Sequence, residues 1–225
     1  MFKWENYPTI WFEGRFGTYF LNSLIITIPV VLLTVIFSSL AGYFFAKMDF
    51  PKKEVIFLVF LLGLMIPLPA LIVPLYFNLS AMGLLNSYLG VILPEVGIQL
   101  PFGIFLMRTF SESISDEIID AARVEGASKI RLFTKIILPL SIPGLQSLGI
   151  ISFMFAWQRY LLPLLVIQDV GKRPLTVGVF TYLGRYTIDY PGLTAAAIIT
   201  FTPITVVFLM LQRAFTRGLT MGAIK

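Results

Sequence analysis

Cysteine and histidine are both absent from the sequence. Without thiols there can be no disulfides and no thiolate metal ligands. Without imidazole, the commonest zinc ligand and the side chain that titrates nearest neutrality are also missing. Charge is scarce. Asp, Glu, Lys and Arg make up 13% of the 225 residues, against about 25% in a typical soluble domain. Hydrophobic residues make up 57%, and the mean hydropathy is +0.88. A globule of this composition has too little polar surface to face water. No Gly-x4-Gly-Lys-Ser/Thr phosphate loop, metal-ligand cluster or nucleophile–base pair is present, so the sequence offers no catalytic residue and no cofactor or metal site.

What the sequence does contain is long uncharged runs. No Asp, Glu, Lys or Arg occurs between Arg15 and Lys47, Glu54 and Glu95, Lys135 and Arg159, or Asp189 and Arg213. A hydrocarbon core of about 30 Å needs roughly 20 apolar helical residues. Each run is long enough, and the second has room for nearly two crossings, divided by the polar, glycine-containing segment 78–86. Five spans are expected, over 20–46, 55–77, 87–107, 139–163 and 192–212. The fold class is therefore an all-α polytopic helix bundle in a cell membrane. Residues 1–19 form a segment without a continuous apolar core and are not read as a cleavable signal.

The net charge of +5 sits in short connections, which fits membrane topology rather than nucleic-acid binding. One set of connections holds Lys47, Lys52, Lys53, Arg108, Arg123, Lys129, Arg131, Lys135, Arg213, Arg217 and Lys225, eleven in all. The other holds six, namely Lys3, Arg15, Arg159, Lys172, Arg173 and Arg185. The richer set is expected to be cytoplasmic. Segments 109–138 and 213–225 then lie inside, and the N-terminus lies outside. An outside N-terminus with no preceding span is unusual, and a further helix upstream of Met1 is expected.

The segment 111–143 is long, charged and patterned. Ser113 or Ser115 can cap a helix whose first turn holds Asp116 and Glu117. Ile118, Ala121, Ala122 and Glu125 follow at helical spacing, and Gly126 offers a left-handed stop. Ser128 can cap a second short helix over 129–137, with Ile130, Phe133, Ile136 and Ile137 as its apolar stripe. The result is a compact hairpin at which small side chains let another surface approach closely.

Glu95 is expected about 12 Å deep in the third span at 1.5 Å rise per residue, with Gln99 one turn along on the same face. An intramembrane carboxyl is a pathway candidate, or else a structural group paired with a neighbour such as Arg159. Phe153, Phe155, Trp157 and Tyr160 are read as an interfacial aromatic belt rather than a sugar-stacking surface.

Asp120-Ala121-Ala122-x-x-Glu125-Gly126-Ala127, followed by Ile136-Ile137-Leu138-Pro139, resembles the signature loop E-A-A-x-x-x-G-x(9)-I-x-L-P of ABC-importer permeases, with Asp120 in place of the usual glutamate. Asn22-Ser23, Phe155-Ala156-Trp157-x-x-Tyr160, Pro174-Leu175-Thr176-Val177-Gly178 and the tail Arg217-Gly218-Leu219-Thr220-Met221-Gly222-Ala223 resemble the sugar branch of that family, the maltose-transporter type. This resemblance implies about six helices per permease, including one before the segment that begins here. It implies that Asp120, Ala121, Ala122, Glu125, Gly126, Ala127 and Pro139 dock an ATPase subunit. Gly218, Leu219, Thr220 and Gly222 would make a further ATPase contact. The partners it implies are a homologous second permease, two cytoplasmic ATPase subunits and an extracytoplasmic solute-binding protein, the last facing segment 168–191. An ion-coupled transporter would need more buried ionisable groups than Glu95 and a half-to-half repeat, which is not evident. A scaffold without transport would leave a docked but inactive complex.

Overall fold

The structure, a computed structural model, describes residues 4–182 and 189–221, with side chains as far as 212. No strand occurs among the described residues. Helices α1 (Asn6–Phe12), α2 (Phe16–Lys47), α3 (Lys53–Leu62), α4 (Leu68–Ala81) and α5 (Leu89–Glu112) come first. The charged segment holds α6 (Asp116–Val124), α7 (Lys129–Leu132) and α8 (Leu138–Leu140). Then come α9 (Ile142–Gln158), α10 (Leu161–Val166), α11 (Leu175–Gly178) and α12 (Tyr190–Met221). Among the described residues, Phe16–Lys47, Leu89–Glu112 and Tyr190–Gln212 are each long and apolar enough to cross a membrane. The total rises to 5 if each of two bent pairs counts as one crossing.

Two expected spans are corrected. The run 55–77 is not one rod. Helix α3 ends at Leu62, a tight turn covers Gly63–Met65, and Ile66 is extended with φ −88° and ψ 112° before α4 begins. Ile66 precedes Pro67, whose ring disfavours helical backbone in the residue before it. The fourth span, expected over 139–163, is also broken. Residues Lys129–Leu140 meet Ile142–Gln158 at a bend of 75°, and α9 stops at Gln158. Helix α5 continues five residues beyond its expected end, to Glu112, and α2 begins a turn earlier than expected.

The chain forms two compact units. The first comprises Met1–Val30, Pro69–Glu95 and Phe153–Met210. Its core gathers Ile10, Phe16, Tyr19, Trp157, Leu175, Ala195 and Ala196, with Phe20, Phe153 and Tyr182 packed around them. Trp157 is 2% exposed and donates its indole N–H to the Thr200 carbonyl at 3.0 Å. It is therefore a core residue, contrary to the belt reading, and Phe153 stacks on it with centroids 5.4 Å apart. Phe155 alone of that group is more than half exposed.

The second unit comprises Val31–Leu68, Val96–Ser152 and Leu211–Lys225. Helices α2 and α5 touch closely here: a Cβ at Gly42 would lie 2.6 Å from the Cβ of Met107 and 2.7 Å from the Arg108 nitrogen. Arg108 grips Glu54 with two hydrogen bonds, of 2.9 and 2.8 Å, and Glu112 with one of 2.7 Å. Its guanidinium also lies 4.1 Å from the centre of the Phe57 ring. These contacts tie the start of α3 to the end of α5.

Candidate functional site

The charged segment between α5 and α9 is a helical hairpin whose caps satisfy the backbone locally. Ser115 Oγ accepts from the Glu117 amide, and Asp116 and Glu117 occupy the first turn of α6, where the helix dipole favours negative charge. The far end of α6 closes through paired bonds: Ala127 N–H donates to Ala122 O and Gly126 N–H to Arg123 O, both at 3.0 Å. This pattern needs a left-handed residue after the last helical turn, and Gly126 has φ +80°. Ser128 Oγ then accepts from the Arg131 amide to start α7. Beyond it, Phe133–Ile137 forms a widened π turn immediately before Pro139, which has no N–H to offer the Lys135 carbonyl.

The hairpin has an inner and an outer face. Ile114, Ile119, Leu132 and Ile137 are buried with Tyr43, and Met48, Ala122, Ala127, Phe133 and Ile136 pack against them. Tyr43 and Phe133 have ring centres 5.4 Å apart. Ile130 does not join this stripe as expected. It is 77% exposed and Leu132 is buried in its stead, because the hairpin rests on the end of α2. The outer face carries Ile118, Ala121, Val124, Glu125, Gly126 and Ile130, all exposed. Three large aliphatic side chains on an otherwise charged knob are typical of a contact surface. Asp120 is exposed and bonded to Arg123 at 3.0 Å, and Pro139 is exposed.

Lys47, the last residue of α2, anchors the hairpin. Its side chain is 7% exposed. The ammonium donates to the Ile114 carbonyl and to Asp116 Oδ1, each at 2.7 Å. That hydrogen bond, with the Lys47 charge behind it, holds the Asp116 carboxyl below the usual carboxylate range. A polar recess of about 450 Å³ opens beside the pair, bordered by Lys47, Asp49, Glu112, Asp116, Asp120 and Arg123. Sequence reasoning missed Lys47, which it counted only as a topological charge.

In the first unit, Glu95 is 1% exposed and receives a two-pronged bond from Arg159, Nε to Oε2 at 2.7 Å and Nη2 to Oε1 at 2.8 Å. Arg159 lies in the gap between α9 and α10. The ring of Pro163 would collide with the carbonyl four residues earlier if the helix continued, and that carbonyl belongs to Arg159. Freed from the helix, it accepts from the Thr176 hydroxyl at 2.8 Å. Gln99 is buried on α5 in the second unit. Among the described residues, no group of three or more Asp, Glu, His or Cys converges to hold a metal ion.

The segment 168–178 is closely bonded to its surroundings. Lys172 Nζ donates to Asn86 O at 2.9 Å, and Asn22 Nδ2 donates to the carbonyls of Gly171 and Arg173 at 2.8 and 3.0 Å. Arg185 lies outside the described residues. So does Gly222; α12 runs through Gly218, Leu219 and Thr220 to Met221, but their side chains lie outside the described part.

The sequence profile of one family, described as binding-protein-dependent transport system inner membrane component, matches residues 38–221. Diacetylchitobiose uptake system permease protein NgcG of Streptomyces coelicolor is 34% identical over 225 residues, covering 99% of this chain and 74% of that protein. Arabinooligosaccharides transport system permease protein AraQ of Halalkalibacterium halodurans is 36% identical over 222 residues, covering 98% of this chain and 79% of that protein. Among solved structures, a bacterial ABC transporter involved in the import of the acidic polysaccharide alginate has a chain that superposes with a TM-score of 0.82. The identity is 22%, and the match covers 93% of this chain and 79% of that one.

Proposed function

The chain belongs to the family of binding-protein-dependent transport system inner membrane components, the permease subunits of ABC importers, and on that premise we propose that it forms, with a homologous second permease, the transmembrane pathway for a sugar or oligosaccharide. The observation that carries the substrate class is similarity along nearly the whole chain, at 34% and 36% identity, to permeases named for diacetylchitobiose and arabinooligosaccharides. The two cytoplasmic ATPase subunits supply the energy, and an extracytoplasmic binding protein delivers the solute.

In this reading the α6–α7 hairpin is the ATPase-docking element. The outward side chains Ile118, Ala121, Val124, Glu125 and Ile130 make the contact, while Lys47 and the Tyr43 cluster hold the hairpin to α2. The eleven-to-six distribution of basic residues supports a cytoplasmic hairpin and C-terminus. Segment 168–191 then faces outward, toward the binding protein.

The test is reconstitution of this permease with its second permease, the ATPases and the binding protein in proteoliposomes. ATP-dependent uptake of short oligosaccharides is expected, dependent on the binding protein. Uptake of an amino acid in place of every sugar offered would overturn the substrate class.

A further inference from the structure

We propose that α1 is an interfacial helix, lying along the membrane surface where α2 enters the bilayer, with Trp4, Pro8 and Phe12 set into the lipid headgroup region. The proposal goes beyond the transport reading. It rests on α2 crossing the membrane and on nothing about the solute or the partner subunits.

Glu5 and Glu13, which flank α1, both keep right-handed helical backbone. Successive side chains on such a helix point about 100° apart, and residues 4–14 fall into three sectors. Tyr7, Ile10, Trp11 and Gly14 form the inner one. Ile10 is buried in the core of the first unit, and Tyr7 and Trp11 pack against that core. The Trp11 and Phe20 rings have centres 5.7 Å apart, and a Cβ at Gly14 would lie 2.6 Å from the Ile10 carbonyl oxygen and run into the Tyr182 hydroxyl. Glu5, Thr9 and Glu13 form a polar sector, all exposed. Trp4, Pro8 and Phe12 form the third, which is apolar and also exposed. Trp4 is 73% and Phe12 78% exposed. Trp4 is steadied by Tyr7, on which it stacks with centroids 6.0 Å apart.

The position of α1 in the chain says what meets the apolar sector. Arg15, with φ 60°, turns the backbone, and α2 starts at the next residue. The uncharged run begins there, and α2 soon exposes Leu21, Ile25, Ile28 and Leu32, the side chains that face hydrocarbon. The helix therefore sits at the level of the bilayer surface. Tryptophan, with an apolar ring and one N–H, is enriched at that level. The sequence had suggested an aromatic belt around Phe153, Phe155, Trp157 and Tyr160, but Trp157 is in the core. The exposed tryptophan and phenylalanine of α1 take that role.

A helix held on one side by protein needs its exposed surface divided between apolar and polar halves if it is to lie where hydrocarbon meets water, with the apolar half about 5–10 Å into the headgroup and acyl boundary. The second and third sectors of α1 are that division. Its 7 residues are too few for a helix to persist in water on propensity alone, so the surfaces on either side hold it. Lys3 and Arg15 offset Glu5 and Glu13. The contact therefore rests on apolar area rather than on attraction to anionic lipid.

The experiment uses the complete transporter in nanodiscs of zwitterionic phospholipid, with cysteines removed from the other subunits. Spin labels are placed one at a time at Trp4→Cys, Thr9→Cys, Phe12→Cys and Glu13→Cys. All four side chains are exposed, so the substitutions leave the core intact, and residues 4 and 12 read the apolar sector independently. Collision of each label is measured with oxygen, which concentrates in lipid, and with a water-soluble nickel chelate. The ratio of oxygen to nickel collision should be several-fold higher at residues 4 and 12 than at residues 9 and 13, with no change when part of the lipid is made anionic. High nickel collision at all four positions would mean that α1 stands clear of the membrane and overturns the proposal. Low collision with both reagents at residues 4 and 12 would mean that protein covers this face and also overturns it; repeating the measurement without the binding protein then shows whether that protein or the second permease is the cover. High oxygen collision at all four would place the helix inside the hydrocarbon, which contradicts the interfacial orientation. None of these readouts depends on which solute the complex carries.

Discussion

Lys47 illustrates how one side chain can hold a whole element in place. Its ammonium reaches both a backbone carbonyl and a carboxylate at the start of α6. Lys47→Met leaves the Ile114 carbonyl without its donor, a loss that the solvent-screened Asp116 contact adds little to, so amide exchange over residues 114–124 should speed by about ten-fold, with Lys47→Arg recovering part of the protection. Exchange unchanged in Lys47→Met would contradict the anchor. The Asp116 bond also has a pH signature. Its carboxyl titrates lower in the folded protein than in the unfolded chain. The contribution is therefore fully present above the unfolded value of about 3.9 and is lost only as pH falls through the lower, folded value. Hairpin protection should be flat through neutral pH and fall in acid, whereas Asp116→Asn should start from lower protection at neutral pH and show no such fall. The Glu95–Arg159 pair is a different case, because its carboxylate is enclosed. Breaking such a pair from one side costs about 3–5 kcal/mol, whereas replacing both members with apolar side chains can be nearly neutral. Glu95→Gln should therefore lower the thermal midpoint in detergent markedly, and Glu95→Leu with Arg159→Met should restore most of it. Transport that stays lost in the restored double variant would assign the pair to the pathway, and transport that returns would assign it to the scaffold.

At the level of elements, the hairpin makes the sharpest claim. Gly126 has open space around the position of a Cβ, but its φ of +80° is a strained conformation for any side chain. A β-branched residue there should cost about 1–3 kcal/mol of local strain and turn α7 relative to α6. Gly126→Val should leave the permease folded, weaken its association with the ATPase and reduce ATP hydrolysis coupled to transport. Normal values for both would sink the docking assignment. The parts of this hairpin that could be read from the sequence are those fixed locally. Ser128 and Gly126 each act on backbone groups within a few residues, so spacing alone located them, and it narrowed the first cap to Ser113 or Ser115, of which Ser115 takes the role. The inner face was only partly readable. Periodicity selected Ile130, but Tyr43 and Met48, brought from the end of α2, decide that Leu132 is covered and Ile130 is not. The same limit applies to Trp157, whose bond to Thr200 depends on tertiary packing. The break at Ile66 was obscured for another reason: Pro67 lies inside an uncharged run that hydropathy reads as continuous, and proline is ordinarily tolerated in membrane helices.

For the molecule as a whole, the shortage of charge was enough to identify a membrane helix bundle, since uncharged runs of this length have few other uses. The division into two compact units was not visible in advance, because α2 and α5 each contribute residues to both. Orientation rests on the basic residues, and function on the surfaces that this orientation assigns to each side. The hairpin is where these arguments meet, and the absence of native cysteine allows it to be tested at a single atom. In the fully assembled, transporting complex, Ala121→Cys should crosslink to the ATPase subunit, and cycling with ATP should change the crosslinking yield. A complex that transports normally, shows no crosslink from residue 121 and labels that residue only from the external side would contradict the account.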